Sequence, residues 1–208
     1  MNNYDENYYE RGVELGISGY TNYRWMPKLT VPMSQSIANY MALPIGSKIL
    51  DYGCAKGYLV KALTELGYEC DGTDISEYAL SKIDPEIKDK VFLYNEDNLF
   101  GRWYDAAIAK DVFEHIEPKE LGNILHNLST VTNRLFVAVP LGDGEKYIIP
   151  EYESDITHVI RKDESWWTDF LLKHGWQTQF FTHLLKGVKD NWAHYPRGNG
   201  FFFLNYRN

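Results

Sequence analysis

The sequence predicts an α/β fold built on a mostly parallel sheet, and two observations carry that expectation. From residue 48 onward, short apolar runs alternate with stretches whose apolar residues recur at helical spacing, the pattern of linked βαβ units. Near the start of that alternation lies Ile49-Leu-Asp-Tyr-Gly-Cys-Ala-Lys-Gly57, an apolar stub followed by small residues at alternate positions and then a helical pattern. Such a strand–turn–helix junction brings the backbone close to a small ligand at the tip of a parallel sheet. A chain of 208 residues, 44% hydrophobic, can bury one sizeable core and is short for two.

The elements follow in order. Residues 48–53 read as a first strand. Residues 57–66 read as a helix with Leu59, Val60, Leu63 and Leu66 on one side, stopped by Gly67. A second strand spans 68–73, and Ser76 is placed to cap a short helix carrying Ala79, Leu80 and Ile83. Strands three and four are expected at 91–94 and 104–109. Leu121, Ile124, Leu125 and Leu128 mark the next helix, before a fifth strand at 135–139 that Pro140 ends. The span 141–162 is polar, aromatic and long enough to act as a lid. Asp163 can cap a helix bearing Trp166, Trp167, Phe170 and Leu171, which Gly175 ends. Strands six and seven are expected at 176–184 and 201–206, with a loop holding Trp192, His194, Tyr195 and Arg197 between them. Residues 1–44 stand outside the alternation. They hold many tyrosines and a helix near 34–43, and are expected to cap the ligand edge of the domain formed by 45–208.

Composition narrows the partners. The formal charge of −8 argues against a polyanionic partner, because nucleic-acid binding normally needs a basic footprint. No apolar run is long enough to span a bilayer, and the acidic start, without an apolar leader core, points to a cytoplasmic protein. Two cysteines suit a reducing compartment and form no metal-ligating cluster. Aromatic residues make up 15%, more than core packing alone calls for, so a stacking pocket is expected.

Asp51, two residues before the first glycine of the turn, decides between ligands. A carboxylate there repels a pyrophosphate and holds an ammonium group. The dinucleotide fingerprint G-x-G-x-x-G also fails on spacing, since the turn runs Gly53-x-Ala55-x-Gly57. Asp51-x-Gly53-Cys54-Ala55-x-Gly57 resembles the first motif of the class I S-adenosylmethionine-dependent methyltransferases, small-molecule O-methyltransferases among them. Gly72-Thr-Asp74-Ile75-Ser76 resembles their second motif, Asn95-Glu-Asp97-Asn98 their third, and Tyr104-Asp105-Ala-Ala-Ile108 their fourth strand. The resemblance implies a Rossmann-like three-layer α/β/α domain with a mostly parallel seven-stranded sheet and an antiparallel last strand. It implies S-adenosylmethionine as cofactor, bound by Asp51, Gly53, Ala55, Gly57, Asp74, Ile75, Asp97, Asn98 and Lys110. Asp51 would hold the methionine ammonium, and Asp74 the ribose hydroxyls. Ile75 would pack on the adenine, and Asp97 would accept from its amine. Ala55 stands where the family usually has glycine, which is tolerable if its φ stays negative.

Methyl transfer to a hydroxyl needs alignment and removal of a proton, by a base or by a metal that lowers the hydroxyl pKa. Asp111-Val-Phe-Glu114-His115 resembles the acid-x-x-Glu-His motif of metal-dependent O-methyltransferases of ubiquinone biosynthesis and small-RNA ends. Asp155-Ile-Thr-His158 resembles the small-RNA group's second histidine segment. On a helix, Asp111, Glu114 and His115 share a face. With His158 they form a candidate site for Mg²⁺ or Mn²⁺. Two other readings stay open: Asp111 and Glu114 as a helix capping box, and His115 or His158 as a metal-free base, with Asp111 beside them. Tyr20, Tyr23, Arg24, Trp25, Tyr147, Tyr152, Trp192, His194 and Tyr195 are candidates for an acceptor pocket, with Arg24 and Arg161 available to an acceptor anion. His126 and His174 lie on helix patterns and read as surface or helix-end residues. The expected reaction is methylation, at oxygen, of a small sugar-linked or other metabolite. The alternatives are a non-catalytic cofactor-binding protein and an RNA-end 2′-O-methyltransferase.

Overall fold

The computed structural model describes residues 3–95 and 101–207. Three helices precede the sheet: α1 (Glu6–Glu10), α2 (Gly12–Leu15) and α3 (Pro27–Tyr40). There follow β1 (Lys48–Tyr52), α4 (Tyr58–Glu65), β2 (Glu69–Asp74), α5 (Glu77–Ser81), β3 (Val91–Leu93) and β4 (Ala106–Lys110). The chain continues through α6 (Pro118–Ser129), β5 (Arg134–Pro140), α7 (Glu164–Lys173), β6 (Trp176–Thr182) and β7 (Asn199–Tyr206). The seven strands form one sheet in the order β3-β2-β1-β4-β5-β7-β6, and only β7 runs antiparallel to its neighbours.

Strand alternation feeds two cores. Leu50 and Tyr52 of β1, with Ala107 and Ala109 of β4, face Leu121, Leu125 and Leu128 of α6 and Trp167 and Leu171 of α7. Ile49, Ala106 and Ile108 point the other way, onto Leu59, Val60 and Leu63 of α4 and Ile37 and Ala38 of α3. A sheet covered on both faces explains why its central strands read as continuous apolar runs. Truncating one of these leucines to alanine costs about 2–5 kcal/mol. Helix α3 thus belongs to a core layer, while Tyr8 and Tyr9 of α1 form a separate small cluster with Ala79. Gly122 lets α6 approach α7, since a Cβ there would sit 2.6 Å from the His174 ring.

Local signals act as expected at several ends. Ser76 Oγ accepts from Ala79 N at 2.9 Å, and Asp163 caps α7 through Trp166 N at 2.8 Å. One expectation fails. No α-helix opens at Asp111: a single 3₁₀ turn, Phe113–His115, follows β4, and α6 begins only at Pro118. Asp111 takes a left-handed φ of 57° and turns its side chain to two lysines, so it caps nothing.

Candidate active site

Doubly wound sheets place ligands where neighbouring strands send their connections in opposite directions, here between β1 and β4. A cavity of about 450 Å³ opens at that point. Its floor is the turn after β1, where Gly53, Ala55 and Gly57 take φ values of 77°, 49° and 72°. Gly53 is also required by space, because a Cβ there would meet Val112 at 2.4 Å. Ala55 does not meet the condition of a negative φ. A left-handed alanine costs about 1–2 kcal/mol, and its amide donates to Asp74 Oδ2 at 2.7 Å in return.

Two acids line the cavity from the strand ends. Burial, then the neighbouring Asp74, pushes the Asp51 carboxyl up to about 8, against the opposing pull of Lys110. Such an acid favours a cationic partner, which would restore its charge. Burial also raises Asp74, opposed by the amides of Ser76 and Ala55 that its carboxylate accepts. Ile75, half exposed, and Lys110 border the same cavity. Asp97 and Asn98 lie outside the described residues. Lining groups that no motif signalled are Tyr94, Ile116 and Ile124, with Met26 just before α3 and Leu29 and Met33 within it, where the four-residue spacing of the last two marks a shared face.

The roof is aromatic. Tyr4, Tyr8, Tyr9, Tyr20 and Tyr23 border the cavity and pack ring to ring, with centroids 4.8–5.9 Å apart among those in contact. The buried Lys56 ties this roof to the turn: its ammonium pairs with Glu10 and donates to the Tyr23 carbonyl at 2.6 Å. Arg24 borders the cavity from the exposed side. Trp25 instead packs by Tyr58 and Lys61. Tyr147 and Tyr152 pack against His158, Trp192 packs on Tyr152, and the rings of His194 and Tyr195 lie tilted against Trp192. Arg161 is committed to Glu153 at 2.9 Å and to the His158 carbonyl at 3.0 Å, so it is a structural ion pair and not a free anion site.

Beside the cavity, Glu114, His115 and His158 each bring a ligand atom within 4.8 Å of the others. The chain reaches this arrangement without a helix. Glu114 is held in the 3₁₀ turn, and its carbonyl accepts from Val159 N and Ile160 N, which docks the 141–162 loop against it. Asp111 stands outside the trio. Lys110 donates to it at 2.6 Å and Lys189 pairs with its other oxygen. Burial alone would raise the Asp111 pKa, but the two ammonium groups outweigh it and hold the acid well below the usual carboxylate range. Lys189 carried no sequence signal; it arrives from the last loop with a left-handed φ of 60° and also donates to Tyr152 Oη and Asn199 Oδ1.

The imidazole protons can be assigned from partners. His158 Nδ1 lies 3.0 Å from the Tyr152 carbonyl, an acceptor only, so Nδ1 carries the proton and Nε2 a lone pair. Burial lowers the His158 pKa, and burial with the neighbouring His158 lowers His115 to about 4, so both rings are neutral at pH 7. Burial, then Asp111, raises Glu114, whose Oε2 has no partner among the described residues.

A doubly wound sheet with an acid-lined, ligand-sized cavity at its switch point is the arrangement of the Rossmann-like α/β folds. The family described as a methyltransferase domain matches residues 27–187, and the chain belongs to that family: it is an S-adenosylmethionine-dependent methyltransferase of class I. Similar solved structures include a TehB-like SAM-dependent methyltransferase from Corynebacterium glutamicum, at 13% identity and TM-score 0.63 over 85% of this chain and 88% of that one. Magnesium protoporphyrin IX methyltransferase from Synechocystis with bound SAH aligns at 17% identity and TM-score 0.60, over 86% of this chain and 85% of that one. The mitomycin 7-O-methyltransferase aligns at 13% identity and TM-score 0.62, over 86% of this chain and 54% of that one. At these identities the likeness is one of fold. A comparison with curated protein sequences gives no match. No helix among the described residues is long and apolar enough to cross a membrane.

Proposed function

We propose that the protein transfers the methyl group of S-adenosylmethionine to a hydroxyl of a small acceptor, a sugar-linked or other metabolite, with residues 1–44 capping the cavity. The observation that carries this reading is the pair of neutral imidazoles with a buried carboxyl at the edge of a cofactor-sized cavity. Asp51 would take the methionine ammonium and Asp74 the ribose hydroxyls, since ionised carboxylates are strong acceptors for such donors. Ile75 would flank the adenine, and the turn at Gly53 and Ala55 would pass the methionine. The aromatic roof would align the acceptor, which supplies much of the rate in an in-line displacement. His115 or His158, neutral at pH 7, would accept the acceptor hydroxyl's proton. The net charge of −8 weighs for a small acceptor over RNA.

A second reading has its own observation. Glu114 Oε2 is buried without a partner among the described residues, and its oxygen and two imidazoles make a mixed donor set that suits Mn²⁺ better than the oxygen-preferring Mg²⁺. Glu114, His115 and His158 would hold the ion, which would supply a lowered pKa for an acceptor hydroxyl. Asp111, engaged by two lysines, would not join them.

The test combines binding and turnover. S-adenosylmethionine, and not NAD, should raise the thermal midpoint, and a panel of hydroxylated acceptors should yield O-methyl products. Silence from both ligands would sink the cofactor assignment. Loss of turnover on chelation, restored by Mg²⁺ or Mn²⁺, separates the metal reading from the metal-free base.

A further inference from the structure

One hydrogen-bond chain runs from the N-terminal segment to the histidine pair. Tyr8 Oη, on α1, donates to Asp155 Oδ2 at 2.7 Å. Asp155 Oδ1 accepts twice from Thr157, from its amide at 3.0 Å and its hydroxyl at 2.6 Å. Thr157 Oγ1 lies 2.7 Å from His115 Nδ1. Tyr8, Asp155 and Thr157 are each under a tenth exposed, so water does not compete for these bonds. The segment is seated by further polar contacts: Ser18 Oγ donates to the Tyr8 carbonyl at 2.6 Å, and Ile156 N donates to the Ile17 carbonyl at 3.2 Å.

Proton counting gives the chain a direction. A threonine hydroxyl has one hydrogen, and a carboxylate can only accept. The Thr157 hydrogen is therefore spent on Asp155, and toward His115 the oxygen offers only a lone pair. His115 must donate from Nδ1, which leaves its lone pair on Nε2. His158, by its bond to the Tyr152 carbonyl, reaches the same state by a different route. Without Asp155, Thr157 would be free to rotate and donate to Nδ1, and the proton of His115 would move to Nε2.

We propose that Tyr8, Asp155 and Thr157 are positioning residues for His115: the α1 hydroxyl steadies the carboxylate, the carboxylate spends the threonine hydrogen, and the threonine compels the Nδ1–H form of the imidazole. The consequence is that the seating of the N-terminal segment and the tautomer of the reacting histidine are linked through these bonds. Partners of this kind, acting through the group that does the chemistry, typically change activity by about 10–100-fold when removed. The proposal rests on His115 acting at Nε2, as base or ligand, in the reaction inferred above.

Long-range ¹H–¹⁵N spectra of the histidines in the full chain read the tautomer directly and need no turnover. The expected result is His115 protonated on Nδ1 at pH 7, moving to a mixed or Nε2–H pattern in Thr157→Val and returning in Thr157→Ser. In kinetics, Thr157→Val and Tyr8→Phe should lower kcat about tenfold or more with the S-adenosylmethionine Kd unchanged, and Thr157→Ser should recover most of it. An Nε2–H imidazole in the unaltered protein overturns the proposal, whether or not the valine variant folds. So does a Tyr8→Phe protein with full kcat. The expected tautomer in a protein that methylates no hydroxyl would retain the hydrogen-bond chain and reject the reaction assigned to it.

Discussion

The two halves of the cavity are built on different principles. The side proposed for the cofactor is made from strand ends: Asp51 is the penultimate residue of β1, in register with Gly72, and Asp74 ends β2 two residues further along. The side proposed to react is made from connections: Glu114 and His115 sit on a single 3₁₀ turn, and Asp155, Thr157 and His158 on the loop before α7. Strand ends are placed by the sheet, and one mutation there perturbs one contact. Loop residues are placed by each other, through the Tyr8–Asp155–Thr157–His115 bonds and the docking of Val159 on Glu114. The first half should therefore fail locally and the second collectively.

The largest expected effect breaks the comparison at its reacting side. His115→Ala should lower turnover about 10²–10⁴-fold while S-adenosylmethionine affinity stays at its unaltered value, measured by steady-state kinetics and calorimetry. A parallel loss of cofactor affinity would show that the two halves are not separate. Next, Asp74→Ala should weaken cofactor binding by about 1–3 kcal/mol through unpaired hydroxyl donors, with kcat at saturation little changed. Unchanged affinity would remove Asp74 from the cofactor side.

A third effect is a proton count. Asp51 in the free protein titrates near 8, so it is protonated at pH 7. An ammonium ligand lowers that value, so cofactor binding at pH 7 should release about one proton, and the release should fade above pH 8. Calorimetry in buffers of different ionisation enthalpy reads it directly. The sign for stability follows from the same shift. The folded state keeps a proton that the unfolded chain loses above its ordinary value of 3.8, so the stability that Asp51 contributes to the free protein falls as pH rises from about 4 to 8. Asp51→Asn should abolish the release and remove that contribution, seen as a smaller loss of stability between about pH 4 and 8 than in the unaltered protein. The smallest effect is Ala55→Gly, which relieves the left-handed alanine and should change stability by about 1 kcal/mol in the favourable direction, seen as a raised thermal midpoint.

The same division explains what the sequence disclosed. Strand ends leave a linear trace: Asp51 and Asp74 stand at readable offsets from Gly53 and Ser76, and helical spacing marked α4 and α6 through Leu59, Leu63, Leu121 and Leu125. Loop sites leave little. Glu114, His115 and His158 were found as residue types, but the helix expected to gather them is absent. Asp111 looked like their fourth member because spacing cannot show Lys189, 78 residues away, which pairs with it. Thr157 was visible only as the third residue of an Asp-x-Thr turn, whose amide bond to Asp155 is a common local motif. Its role depends on a tyrosine 149 residues upstream.

Val112 fills the space that a side chain at position 53 would need. The glycine turn after β1 and the connection after β4 are consequently interlocked, and the two positions share one volume. A lineage that replaced Gly53 would have to shrink Val112 and also accept a left-handed φ for the newcomer, two changes of which neither helps alone. Across relatives, bulk at these two positions should trade off, and a larger residue at 112 should appear only where 53 stays glycine.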